Sequence, residues 1–557
     1  MDGSPRLDAT HRTSADPGAR RELIGGWVTL GLALAPSLAA IAWVPEFSTQ
    51  DGPAHLYSAR ILNASLGPNS PFAGTYAVAW QPLPNWTGQL ATMACQAWLP
   101  STLAARAVTA LTLVLFSASV AWLRLAVAGP KGLATASLLA ALLGLNVTWL
   151  LGFTSFLLGA SLFPATLALW WGGRVRFGPA RTAGLAGLLI LGYFSHPIGL
   201  GLTVVGLGVL AWLTPGPDRW RRAGLTALAG LPLVPLGLAY RAMTRSAGGL
   251  EPVWDHFTGP SLARAGVAQL GWVDPISLAG KVFRPFGGSP STLNGLASPA
   301  AWTGLALALL VASTWAIRSR DRRGWLALGV LLVAAGVVGP DTLGVKHGHY
   351  LPQRVVLLGL VALVPWIDFA TPRRSAILAR ACLGFALLVQ SAFVWDYALD
   401  CRARLGRFAG AARAIGSGHR VGTLLAGTRA RFRSNALLHA DCLFGVGADN
   451  VVWSNYETAH YYFPVKVRAG LEAPSALDFE RLNLLDGADE GPERARLWAE
   501  LLEVHVGSID VLVEWNATDN LALDSINARH YDPTYADGPV RVWARRPISA
   551  TQVGGAP

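Results

Sequence analysis

Charge is what this chain has little of. Of its 557 residues only 14% are Asp, Glu, Lys or Arg, against 52% hydrophobic, and the mean hydropathy is +0.39. That shortage excludes an ordinary soluble globular protein, in which about 25% of residues are charged. Cysteine is scarce as well: the four present show no CxxC spacing, which removes the common zinc and thiol-redox motifs. No His-x-x-x-His pair or carboxylate cluster has the spacing of a metal site. There is no internal repeat and no low-complexity tract, which argues against a transporter assembled from duplicated halves. Polar rings of the kind a channel needs are missing from spans made mostly of Leu, Ala and Gly.

What is present is a series of long apolar runs. The first, Leu23 to Val44, carries no charge and is long enough to cross a bilayer. It is too long for a signal peptide, and no small-residue cleavage site precedes the polar EFSTQD, so it reads as an anchor. Further runs at 101–124, 133–150, 153–172, 182–194, 198–213, 223–242, 299–317, 324–339, 350–367 and 376–397 bring the expected total to about eleven. Basic clusters test that count: Arg20 and Arg21; Arg124 and Lys131; Arg174, Arg176 and Arg181; Arg219, Arg221 and Arg222; Arg318, Arg320, Arg322 and Arg323; Arg373 and Arg374. With eleven spans all of them fall on one side, which the positive-inside rule makes cytoplasmic. The formal charge of +12 is therefore a topology signal, and no nucleic-acid partner is expected.

The expected fold is an α-helical polytopic membrane protein of about eleven transmembrane helices with a small external carboxy-terminal α/β domain. Residues 1–22, rich in Ser, Pro, Arg and Asp, read as a disordered cytoplasmic tail. Residues 23–397 form the membrane domain, with external loops at 45–100 and 243–298. Within the first loop the segment 85–100 reads as interfacial, because counting it as a span would move the Arg174 cluster outside. Residues 398–557 form the external domain. It opens on a helical pattern, CRARLGRFAGAARAI, with Leu405, Phe408 and Ala412 on one side. The strand-like runs RVGTLLAG, SIDVLVEW and PVRVWARR follow. Cys401 and Cys442 both fall there, where a disulfide is permitted.

On this topology the unusual polar residues gather on the external face. The stretch FSTQDGPAHLYSARIL puts Asp51, His55 and Tyr57 just beyond the first span. Asp51 is expected to cap a short helix, with Pro53 in its first turn and His55 one turn further along the same face. His196 lies in a tight external turn, GYFSHPIG. The long loop carries Glu251, Trp254, Asp255, His256, Arg264, Asp274 and Arg284. A third loop, GPDTLGVKHGHYLPQR, supplies Asp341, Lys346, His347, His349, Tyr350 and Arg354. Arg354 sits just inside the tenth span, where a charge is costly without a partner.

The arrangement resembles the GT-C superfamily of polytopic glycosyltransferases, and within it the bacterial mannosyl- and aminoarabinose-transferases that use polyprenyl-phosphate sugars. The piece that carries the resemblance is QDGPAHLYSARIL, similar to the acidic motif and interfacial helix of that family. The family's commonest form pairs two acids, and here Gly52 stands at the second position, leaving Asp51 as the carried-over carboxylate. The resemblance implies a transferase at the external face of a bacterial inner membrane, amino terminus cytoplasmic, with Asp51 as base and inversion at the anomeric carbon. A sugar on a lipid phosphate already has a good leaving group, so the enzyme supplies a base and positive charge for the departing phosphate. Arg354 suits the phosphate, with Lys346, His347 and His349 as supplements. His55, Tyr57, His196 and Tyr350 are the further substrate-binding candidates. The implied partners are a polyprenyl-phosphate-linked sugar, a glycan, lipid or protein acceptor, and membrane lipids. No cofactor is required by the pattern, and a divalent metal held by Asp51 with His55 and His196 is left open. Aromatic residues of the external domain, Trp453, Tyr456, Tyr461 and Tyr462, could stack on an acceptor sugar. The competing reading is a non-catalytic membrane subunit that binds glycolipids, or a transporter of lipid-linked envelope glycans.

Overall fold

The computed structural model describes residues 16–175, 177–216, 219–246, 299–314, 322–340, 350–370, 372–428, 432, 434–485, 491–516 and 521–547. Asp341, Lys346, His347, His349, most of the 243–298 loop and the tail through residue 15 lie outside the described residues. The chain divides into two compact units, 1–43 with 109–396 and 44–108 with 397–557. The segment read as the first external loop thus shares a unit with the carboxy-terminal segment.

The first unit is helical. Among the described residues four helices are long and apolar enough to cross a membrane: α1 (Pro17–Trp43), α4 (Ser101–Ala128), α7 (Thr154–Gly173) and the stretch Arg373–Ile415, which contains α15 (Arg373–Gly410). Helices α10 (Arg219–Gly230) and α11 (Leu233–Ser246) form a pair bent by 45°, which counts as a fifth only if the two are one broken span. The other apolar runs form shorter helices: α5 (Leu133–Gly144), α8 (Pro179–Ser195), α9 (Pro197–Leu213), α12 (Pro299–Thr314), α13 (Arg323–Val338) and α14 (Leu351–Leu363). These helices and the composition mark an integral membrane protein.

The count of eleven full spans is not established by these lengths, and two of the differences have clear causes. The run 133–150 is split because Asn146 leaves the helical path. Its Nδ2 donates to the carbonyls of Leu143 and Gly144 at 2.8 and 3.2 Å, while its Oδ1 accepts from Trp149 N, starting the short α6 (Val147–Leu150). The run 223–242 breaks at Leu231–Pro232, where proline lacks the helical donor and crowds the preceding turn. Helices α13 and α14 pack too closely for a side chain at their crossing. A Cβ on Gly359 would lie 2.8 Å from Val333 N.

In the second unit the expected runs form β2 (Arg420–Leu425), β5 (Val511–Trp515) and β7 (Val540–Arg545), joined by β3 (Val451–Val452) and β6 (Tyr531–Asp537). The sheet order is β3-β2-β5-β7-β6, parallel from β3 to β5 and antiparallel from β5 to β6. β5 is buried along its whole length and β2 at all but its first residue, as strands of a covered parallel sheet are. The helical stripe before β2 runs through Cys401, Leu405, Phe408, Ala411 and Ile415; Ala412, expected on it, is exposed. Cys401 and Cys442 are free, buried thiols, so the permitted disulfide is not formed.

The first-loop segment is woven into this unit. Strand β1 (Tyr76–Val78) pairs antiparallel with β4 (Val465–Val467), Tyr76 opposite Val467. Helices α2 (Gly52–Ser65) and α3 (Trp86–Trp98) are tied by Asn63 Nδ2 to Met93 O, 3.3 Å, and by Gln96 Nε2 to Leu56 O, 3.1 Å. With 13 residues α3 extends only about 20 Å, less than a bilayer core. Tyr57 anchors α2. Its hydroxyl donates to Asn450 O at 2.7 Å and accepts from Val452 N at 3.2 Å, and its ring meets Phe72 and Tyr76 edge-on. Below the ring lies Gly445, where any Cβ would overlap it. Gly445→Ala is therefore expected to destabilise the protein by about 1–3 kcal/mol, the usual cost of overpacking. A lowered thermal unfolding midpoint in detergent checks this; an unchanged midpoint would mean the ring can shift.

Candidate active site

Helix α2 puts Asp51 at its amino-terminal cap position, as the sequence predicts, but the carboxylate makes no capping bond. It turns instead toward the carboxy-terminal segment. Tyr456 Oη lies 3.3 Å from Asp51 Oδ2, and His439 Nε2 lies 3.7 Å from Oδ1. Asp51 is 7% exposed. Burial pushes its pKa up to about 7, with Glu480 and Glu457 adding to the effect and His55 opposing it. Burial, together with the charge of His55, depresses His439 to about 3. The Asp51–His439 contact is thus a carboxyl beside a neutral imidazole rather than an ion pair, despite its distance.

One turn along α2, His55 bonds through Nδ1 to Glu457 Oε1. Gln89 Nε2, from α3, donates to Glu457 Oε2 at 2.7 Å. Glu457 is fully buried, and these two bonds satisfy both of its carboxyl oxygens. It sits in a short turn (Tyr456–Ala459) capped by Asn455, whose Nδ2 bonds Ser58 Oγ on α2 at 3.1 Å. Three segments of the second unit therefore converge on one acidic and imidazole-rich cluster. Among the described residues no group of three or more His, Cys, Asp or Glu side chains is arranged to hold a metal ion.

The remaining candidates fall elsewhere. Tyr57 is fully buried with its hydroxyl engaged by the backbone, so its place is in the framework rather than facing a substrate. Trp453 is likewise core, its Nε1 on Ser508 O at 2.8 Å. Tyr461 and Tyr462 are half-buried, with His460 stacked on Tyr462. In the first unit the structure brings His196 and Arg354 together, Nη1 to Nε2 at 2.9 Å, although 158 residues separate them. The guanidinium also lies over Phe153 and Phe156, at 4.5 and 5.0 Å from the ring centroids. His196 Nδ1 accepts from Ile198 N at 3.2 Å, starting α9. Both ring nitrogens face donors, and a neutral imidazole can accept from only one. Tyr350 caps α14 in the left-handed region, φ 57°, its ring 5.5 Å from that of Phe153. Glu457, Gln89, His439, Phe153 and Phe156 stand in no motif or hydropathy pattern that singles them out. For His439 and Glu457 the one signal was a cluster of titratable and aromatic residues at 439–462.

No protein-family model matches the sequence, and no curated protein matches it. Solved structures do. The arabinofuranosyltransferase AftD from Mycobacteria matches 95% of this chain at 16% identity with a TM-score of 0.50. The likeness is one of fold alone. The chain spans 40% of the length of AftD. ArnT from Cupriavidus metallidurans, bound to undecaprenyl phosphate, matches 94% of this chain and 98% of its own at 15% identity, TM-score 0.44. The Archaeoglobus fulgidus oligosaccharyltransferase matches 94% of this chain and 75% of its own at 12% identity, TM-score 0.46.

The raised pKa of Asp51 fixes how its charge bears on stability. A carboxyl whose folded pKa exceeds its unfolded value contributes most below the unfolded pKa, and the contribution is lost as pH rises through the folded one. Between 3.8 and about 7 the span corresponds to about 4 kcal/mol as an upper bound. Asp51→Asn should accordingly be more stable than the parent at pH 8 and lose that advantage toward pH 4. Thermal unfolding of both proteins from pH 4 to 8.5 tests this. Parallel curves would show that Asp51 is well solvated.

Proposed function

We propose that this protein is an integral membrane glycosyltransferase that moves a sugar from a polyprenyl-phosphate donor to an acceptor hydroxyl at the external membrane surface. The observation that carries the reading is the Asp51 carboxyl: not used as a helix cap, buried, and shifted to a pKa near neutrality. General bases work best with a pKa near the operating pH. The GT-C-type fold shared with AftD supports a transferase of this kind.

In this mechanism Asp51 takes the proton of the acceptor hydroxyl as its oxygen attacks the anomeric carbon. The bond from that carbon to the phosphate oxygen breaks on the opposite side, so the centre inverts and polyprenyl phosphate leaves. Glu457 and Gln89 fix His55, and His55 sets the field in which Asp51 ionises. Arg354, a planar and permanently charged donor, binds the donor's phosphate; its bond to His196, whose ring offers one acceptor to two donors, is the one an anion would replace. Basic clusters on alternate connections support an amino terminus in the cytoplasm and Asp51 outside. The sugar and the acceptor are not specified by these residues.

The test compares lipid-linked sugars and envelope glycans, by mass spectrometry, in parent, deletion and Asp51→Asn cells. The variant keeps size and folding, and its rate should fall about 10²–10⁴-fold. The expected result is loss of one glycan and accumulation of its polyprenyl-phosphate sugar in both strains. A variant that behaves as the parent while the deletion is defective would overturn the base assignment and favour the glycolipid-binding alternative.

A further inference from the structure

A groove of about 430 Å³ lies among α8, α9, α10 and the start of α11 in the first unit. Leu189, Leu207 and Val234 are among its apolar walls, and a Cβ built on Gly208 meets no atom within 4 Å, so the floor beside α9 is open. Its size falls within the roughly 300–1,000 Å³ of small-molecule sites. The 45° break between α10 and α11 leaves Val234 exposed at one side of it.

Among the described residues the lining has two polar side chains besides the indoles of Trp212 and Trp220. Thr226 is spent within the protein: its hydroxyl donates to Arg222 O at 2.8 Å and accepts from Trp170 Nε1 at 2.9 Å. Arg219 is the one charged residue of the lining among the described residues, at the end where α10 begins. Its guanidinium lies 4.8 Å from the ring centroids of both Trp212 and Trp220, and those indoles are largely exposed. Neighbouring Arg222 is turned inward, donating to the carbonyls of Arg174 and Thr214 at 3.1 and 2.6 Å. The groove thus offers a long apolar trough ending in one cation held between aromatic rings. The first-turn amides of α10 lie at that same end.

We infer that this groove binds an acyl chain of an anionic glycerophospholipid, with the lipid phosphate on Arg219. Away from the Arg219 end, where the guanidinium and the indole N–H groups of Trp212 and Trp220 lie, the described lining leaves no polar side chain for a soluble ligand, and its helices belong to the membrane unit. Arg219, Arg221 and Arg222 form one of the clusters that the positive-inside rule assigns to the cytoplasmic leaflet, where anionic phospholipids concentrate. That also separates the site from the external donor proposed above. It uses neither Asp51 nor Arg354, so it stands or falls apart from the transferase reading.

The experiment is native mass spectrometry of the purified full-length protein in dodecyl maltoside. Dioleoylphosphatidylglycerol, dioleoylphosphatidylcholine and undecaprenyl phosphate are titrated separately and in competition, with Arg219→Gln and Gly208→Leu as variants. Unfolding midpoints of both variants establish that they are folded. The proposal expects phosphatidylglycerol to be retained preferentially. Arg219→Gln should weaken it about five- to tenfold, toward the level of phosphatidylcholine. Gly208→Leu, which fills the trough, should lower the occupancy of both. Equal retention of the two phospholipids, phosphatidylglycerol binding untouched by either variant, or its displacement by undecaprenyl phosphate at equal concentration would overturn it.

Discussion

The docking of Tyr57 onto the chain around residues 445–452 is the contact on which the rest of the site depends. Its hydroxyl spans Asn450 O and Val452 N, and its ring occupies the space that Gly445 leaves empty. Because α2 is rigid, fixing Tyr57 fixes Asp51 and His55 on the same helix. The turn after β3 can then bring Tyr456 and Glu457 to them. The β1–β4 pairing and the Asn455–Ser58 bond reinforce the same placement from either side. A loop segment between two hydrophobic helices acquires in this way the order of a domain core, which catalytic groups need if they are to be held to fractions of an ångström.

That order makes the acidic cluster strained in an electrostatic sense. Two carboxyls, Asp51 and Glu457, are buried within one small volume, and the environment treats them differently. Glu457 has two dedicated donors, His55 and Gln89. Asp51 has the 3.3 Å contact to Tyr456, a side-chain hydrogen bond from Gln50, a neutral His439 beside it and the field of His55, and burial outweighs them. Burial raises the pKa of the Asp51 carboxyl to about 7, the range in which a carboxylate works as a proton acceptor near neutral pH. Gly52 stands at the second position of the local motif, and a carboxyl from another part of the chain, Glu457, bonds His55 on the same helix. The cost is stability: an uncharged residue at position 51 is the more comfortable choice at neutral pH and above.

Much of the fold was legible because apolar periodicity survives averaging. Helices α4, α7 and α9 begin and end close to their hydrophobic runs, and the three strand-like stretches became β2, β5 and β7; α1 instead starts at Pro17, so the end of the segment read as a disordered tail is helical. Asn146 and Pro232 were read through because a single polar or imino residue barely changes the mean of a long window, although each ends a helix. Strands β1, β3 and β4 have two or three residues, too few for an alternating pattern. β6 contains Pro533, which ordinarily speaks against a strand and is tolerated at this edge beside a bulge. In the site, Asp51 and His55 stood out because polar residues directly follow a membrane-length run, and Arg354 because it interrupts one. Glu457 could not be found that way: its partner His55 lies 402 residues earlier, and only the folded chain joins them.

The most direct test of the account is the pH dependence of kcat/KM for sugar transfer by the purified protein, using as donor the lipid-linked sugar that accumulates when the gene is deleted. The account predicts a rate that rises with pH through about 7, the value to which burial moves Asp51, and a strongly reduced rate without that limb in Asp51→Asn. An acid limb near pH 4, or the same limb at full rate in the variant, would contradict it.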